Sequence, residues 1–224
     1  MAEYTSSVDI CNKALQELGC ARITTLLDNS RNAAECNFLY DKARVALLRE
    51  YVWGFSIAYF TLTAGSPTTQ AFQSGDTRNR FNLPPGFMRL ADQNPRTAGR
   101  LTQATTGGVK STDYSIEGSF LLTANASVLL RYANDVTNVT LMDPLFCDAL
   151  AARMCVDGLA ETLTQNVQKR QLAELRYEKR IALAKLIQVI EAASDEPIEE
   201  ALKTAKMLEM PPQPQPAQQQ GRQR

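Results

Sequence analysis

The sequence predicts an α+β chain: a discontinuous four-helix bundle with an inserted antiparallel β domain and a C-terminal helical extension. Three patterns predict it. Apolar residues recur at steps of three and four near both ends of the chain. Between them, from Trp53 to Tyr132, they alternate at period two in short runs broken by Gly, Pro and Asn. The last fourteen residues, PPQPQPAQQQGRQR, are low complexity and lack the apolar content to build a core. The expected divisions are 1–52 and 142–195 for the two halves of the bundle. Residues 53–141 form the β domain, and 196–224 a last helix with a Pro/Gln-rich tail.

The first helix is expected over residues 7–18, where Ile10, Cys11, Ala14, Leu15 and Leu18 form one stripe. Ser6 or Ser7 can cap its start, and Gly19 can end it in the left-handed conformation. Asp28, Asn29 and Ser30 offer a second start. From there to about Glu50, Ala33, Cys36, Tyr40, Ala43 and Leu47 step by three and four, a heptad-like seam. From Trp53 the aromatic and branched residues Trp53, Phe55, Ile57 and Tyr59 alternate with their neighbours and predict a strand. Residues 64–79 read as a loop or a loose hairpin, 81–90 as a short strand and proline turn, and 91–113 as a long exposed excursion with room for one weak strand. Tyr114 with Ile116, Phe120 to Leu122, and Val128, Leu130 and Tyr132 predict strands, separated by turns at Glu117-Gly118 and Asn125-Ala126.

Helical spacing returns at Asp143-Pro144, where Asp suits the cap and Pro the first helical position. A helix over 144–164 holds Leu145, Ala149, Ala152, Leu159 and Leu163. The next, over about 166–193, carries Leu172, Leu175, Ile181, Leu183, Leu186 and Ile190. Lys169, Arg170, Glu174, Glu178, Lys179 and Lys185 form its expected solvated face. Ser194-Asp195-Glu196-Pro197 breaks the pattern, and 197–209 restarts it with Ile198, Ala201, Leu202, Ala205 and Leu208 on one side.

Composition excludes several functions. Among 224 residues, Lys and Arg total 24, Asp and Glu total 24, and His is absent. No Ser-His-Asp or Cys-His site can form, nor any histidine-ligated zinc or haem. Balanced charge argues against tight binding to nucleic acid by phosphate neutralisation. No run reaches the roughly 18 apolar residues that span a bilayer, so no membrane partner is expected. The segment MAEYTSSVDI has neither the basic nor the apolar region of a signal peptide, which predicts synthesis and folding in a cytoplasm. Cys11, Cys20, Cys36, Cys147 and Cys155 are odd in number and show no CxxC spacing, as expected of reduced, buried side chains.

The chemical candidates are weak. Glu35 with Asp41 and Glu117 with Asp113 are acid pairs, but such spacing is common on ordinary helices and turns. Gly107-Gly108-Val109-Lys110 lacks the spacing and following helix of a phosphate loop. Arg78, Arg80, Arg89, Arg96, Arg100 and Lys110 outnumber Asp92 and give a local basic excess, as a solvated loop surface also would. No catalytic residue, cofactor site or metal site is assigned. The C-terminal helix is the informative anomaly, because its apolar side has no place in a completed four-helix bundle. Ile198, Leu202, Ala205 and Leu208 are therefore the candidate partner-binding residues, facing another chain.

Four segments carry a family resemblance. Arg49-Glu50-Tyr51-Val52-Trp53-Gly54-Phe55-Ser56 resembles R-x-x-x-W-x-F-A at the end of a second helix, with Ser56 in place of Ala. Phe81-Asn82-Leu83-Pro84-Pro85-Gly86-Phe87-Met88-Arg89 resembles F-x-L-P-x-D-x-L-R, with Gly86 where an acidic residue is common. Tyr114-Ser115-Ile116-Glu117-Gly118 resembles Y-x-I-E-G. Asp143-Pro144-Leu145-Phe146 with Ala149-Leu150-Ala151 resembles F-D-P-L-F-x-x-A-L-A, with Met142 in place of Phe. With the Leu163-Thr164 turn and Tyr177-Glu178, their order spans about residues 5–195 and leaves 197–224 outside. The chain thus resembles the head-to-tail adaptor family of short-tailed bacteriophages, the tail tubular protein A family.

The resemblance implies a structural virion protein at the head–tail junction, made in the host cytoplasm. It implies a homo-oligomeric ring of twelve under the portal protein, leading to the tail tube or nozzle, with tail fibres as further neighbours. Double-stranded DNA would pass through the lumen without specific binding, past a wall of mainly acidic and neutral side chains. It implies no enzyme. Two other readings stand beside it: a peptidoglycan hydrolase carried with the phage tail, and a non-viral α+β interaction protein.

Overall fold

The computed structural model describes residues 4–63, 78–91, 114–124 and 127–192. Among the described residues it is a mixed helix-and-sheet structure with four α-helices and two small antiparallel sheets of three strands. Helix α1 (Ser7–Leu18) opens on a capping box, in which Ser6 accepts from the Asp9 amide and Asp9 accepts from the Ser6 amide at 2.8 Å. It ends at Gly19, whose φ of 68° would strain any residue with a Cβ. Helix α2 (Arg31–Glu50) is capped by Ser30, and the whole seam from Ala33 to Leu47 is buried.

The expected strand beginning at Trp53 starts later. Residues Gly54–Ser56 form a 3-10 turn, and strand β1 is Ile57–Thr63. The cause is Trp53, which belongs to the helical core. Its indole N–H donates to the Leu47 carbonyl at 2.9 Å, and its ring meets Phe146 edge-on at 5.0 Å. The Gly54 amide donates to the Gln188 side chain, and a methyl group at position 54 would lie 2.9 Å from that oxygen. The chain has to turn here before it can extend.

The other strands are β2 (Asn79–Asn82), β3 (Phe87–Leu90), β4 (Tyr114–Glu117), β5 (Phe120–Thr123) and β6 (Ser127–Asn134). They form two sheets, ordered β1-β6-β3 and β2-β5-β4, with Ile57 opposite Ala133 and Ile116 opposite Leu121. The Gly118 turn makes β4 and β5 a hairpin. Strands β5 and β6 belong to different sheets, and the turn expected at Asn125-Ala126 lies outside the described residues. Leu62, Phe81, Leu121, Val128, Leu130 and Tyr132, drawn from both sheets, share one small core.

Helix α3 (Pro144–Met154) starts as expected on Asp143, which accepts from the Leu145 amide at 2.7 Å. The expected helix over 144–164 is not continuous. From Cys155 to Thr164 the chain winds more loosely and kinks at Gly158, whose backbone is non-helical, and Gln165, at φ 51°, reverses the chain into α4 (Val167–Ala192). All four helices contribute to one apolar core, which also takes Trp53, Val136, Val139 and Met142.

Candidate functional site

Helix α4 carries the main surprise. Ala173, Ile181, Ala184 and Gln188 face the core, with Tyr177 half-buried among them. Leu172, Leu175, Leu183 and Ile190, expected in the core, are exposed; Leu175 keeps 55% of its surface accessible and Leu183 47%. Where α4 lies closest against the Ala-rich α3 its inward face carries Ala173 and Ala184, and Tyr177, Ile181 and Gln188 fill the rest of that face. With Leu186 half-exposed between them, the outward residues form a stripe about 27 Å long on the side opposite the core. Glu178, Lys179, Ala182, Leu183 and Leu186 line a shallow groove along this stripe.

The expected solvated charged face is also redistributed. Several charges of α4 flank its inner face and bind neighbouring helices. Lys169 Nζ donates to the Leu18 carbonyl at 2.6 Å and Arg176 to the Glu17 carbonyl at 3.3 Å, neutralising the C-terminal end of α1. Arg180 pairs with Glu17 at 2.6 Å. Lys185 pairs with Glu50 at 2.8 Å, the Tyr177 hydroxyl donates to the same carboxylate at 3.0 Å, and Arg153 approaches it at 3.4 Å. Burial alone would raise the Glu50 carboxyl; Lys185, Tyr177 and Arg153 outweigh it and hold the group below its ordinary range. Arg153 also pairs with Asp157 at 2.8 Å. Helix α4 is thus fixed to the body by ions at its flanks and small residues between, while its leucines face out.

The chemical candidates do not assemble into a site. Glu35 and Asp41 are six residues apart on α2 and lie on different sides of it, Asp41 being bound to Arg44 at 3.2 Å. Glu117 faces Arg78 at 3.8 Å; Asp113 lies outside the described residues, as do Gly107, Gly108, Asp92, Arg96, Arg100 and Lys110. Arg80 lies over the Phe120 ring, 3.5 Å from its centroid. Cys11, Cys36, Cys147 and Cys155 are buried and unbridged. Hydrogen bonding to Cys36 and burial push the Cys11 thiol up, and burial pushes those of Cys147 and Cys155 up to about 12, so these thiols stay protonated at neutral pH. Among the described residues no cluster of acidic and thiol groups has metal-binding geometry, and no helix is long and apolar enough to cross a membrane.

Ile198, Leu202, Ala205 and Leu208 lie outside the described residues. The segments that carry the resemblance are largely core: Trp53, Phe55 and Phe146 form one aromatic cluster, and Phe81 centres the β core. Sequence reasoning missed the outward leucines. The signal available was that α4 is apolar on two opposite faces, with Ala173, Ile181 and Ala184 on one and Leu172, Leu175, Leu183 and Ile190 on the other. No protein-family model matches the chain, and sequence comparison with characterised proteins finds no relative.

Proposed function

We propose that this chain is a structural, non-enzymatic virion subunit. It assembles into a closed ring between the portal protein and the tail tube or nozzle of a short-tailed phage, a conduit for DNA during ejection. The observation that carries this reading is the outward apolar stripe of α4, held rigidly by ion pairs at its flanks. A helix apolar on two opposite faces is built to be covered on both. The ordered segments quoted above supply the phage assignment, and the reading takes the helices as a discontinuous four-helix bundle interrupted by the β unit. The protonated thiols and the scattered acids fit an assembly role better than bond-making chemistry.

In a closed ring one face of a subunit meets a different face of the next. The stripe at Leu172 and Leu175 is one such face, and the exposed aromatics Tyr59 and Phe60 of β1 lie on another part of the surface. The subunit number, twelve, follows the resemblance. Ile198, Leu202, Ala205 and Leu208 attach the ring to the portal or to a neighbouring subunit, and truncation after Asp195 weakens that attachment while leaving a soluble chain. Negative-stain imaging of the purified protein, alone and with portal, tests the reading. Rings are expected with the wild type and not with Leu172→Glu/Leu175→Glu. A wild-type chain that stays monomeric and ignores the portal overturns it.

A further inference from the structure

The stripe of α4 and the segment that follows it carry one pattern in opposite directions. Backward from Ile190, the stripe positions are Ile190, Leu186, Leu183 and Lys179, at steps of four, three and four. Forward from Ile198, the segment reads Ile198, Leu202, Ala205 and Glu209, again at steps of four, three and four. We propose that residues 197–209 fold back as an antiparallel helix on the α4 stripe of their own chain. Ile198 then meets Ile190, Leu202 meets Leu186, Ala205 meets Leu183, and Glu209 meets Lys179.

The lengths agree. The described part of α4 runs to Ala192, the sequence breaks the helical pattern at Ser194-Asp195-Glu196-Pro197, and a link over 193–196 would match the two to five residues that join antiparallel helices. Pro197 suits a first helical position. The thirteen residues from 197 to 209 span about 20 Å as a helix, against about 17 Å from Ile190 to Lys179. Pro211-Pro212 then stop the helix.

Two arguments select this occupant over a second copy. Lys179 is exposed within the apolar stripe and makes no ion pair among the described residues, and the register delivers an acid to it. The part of the stripe from Lys179 to Ile190, about 17 Å by one helix width, offers roughly 170 Å², too little to hold a second copy by itself against about 800 Å² per partner in a stable complex, so any subunit contact at Leu172 and Leu175 has to draw on further surface. A tethered helix needs less, because its effective concentration reaches the millimolar range. The seating concerns the free chain and holds with or without a ring. Leu172 and Leu175 lie beyond its reach and stay available for assembly, and portal attachment would exchange one apolar partner of this segment for another.

Disulfide trapping in the full-length chain tests the seating. In a Cys20→Ser background, Leu186→Cys with Leu202→Cys should close within one chain about tenfold faster than Leu186→Cys with Thr204→Cys, which sits on the far side of the helix. Lys179→Glu should slow closure, and adding Glu209→Lys should restore it. Equal rates for the two cysteine pairs, or bridges that join two chains at micromolar protein, overturn the proposal. Amide exchange gives a second readout free of substitutions. Truncation after Asp195 should deprotect residues 183–190 of α4 about tenfold, and unchanged protection overturns the proposal as well.

Discussion

Arg44 joins the helical and β parts of the chain through one side chain. It is buried on α2, donates to the Val136 carbonyl at 2.8 Å and pairs with Asp135 and Asp41. Asp135 follows β6 directly, so the guanidinium anchors the return of the chain from sheet to helix. Arg44→Met keeps the volume and removes three partners. It should cost about 2–3 kcal/mol in urea unfolding, less than for a fully buried pair because Asp135 is one-third exposed. A second residue-scale effect concerns pH. Asp28 accepts from the amides and hydroxyls of Thr24 and Thr25, and these bonds lower its carboxyl from 3.8 to about 2. A depressed carboxyl contributes stability above its unfolded value and loses it as pH falls through the folded one. The contribution is therefore full above pH 4 and gone below pH 2, and Asp28→Asn should remove that part of the acid dependence, as followed by thermal melts.

At the scale of the element, helix α4 separates composition from placement. Its extent was legible from spacing, as were both ends of α1 and the cap of α3, because caps and periodicity are local properties. Its facing was not. Leu and Ile outrank Ala on any hydrophobic scale, so Leu172 and Leu183 read as core, yet the close approach to α3 selects Ala173 and Ala184. The turn at Gly54–Ser56 was hidden for a related reason: Trp53 and Phe55 fit a strand pattern, but their partners Leu47 and Phe146 lie on helices. Two substitutions test the assigned facing. Ala184→Leu should destabilise by about 1–3 kcal/mol through overpacking. Leu175→Glu should leave unfolding within about 0.5 kcal/mol of wild type, since the side chain touches nothing that must stay dry in the free subunit. The reverse result would place the leucines inside.

At the scale of the whole molecule, two cores of unequal size share one chain. Among the described residues the helical core draws on 29 buried apolar side chains and the β core on six. Local stability follows buried apolar contact, so the β unit should open more readily than the helices around it. The connection between them is not purely apolar: Arg44 with Asp135, and Gln188 with the Gly54 amide, bridge the junction. Breaking either bridge should free the β unit from the helical body without unfolding that body. Hydrogen exchange followed by mass spectrometry resolves this. Peptides covering β2, β4 and β5 should exchange faster than those covering α1 and α3, and Gln188→Ala should widen the difference by speeding the first set alone. Uniform acceleration across both sets would mean that sheet and helices unfold as one cooperative unit, and the β unit could then not adjust its surface independently of the helices that carry the stripe.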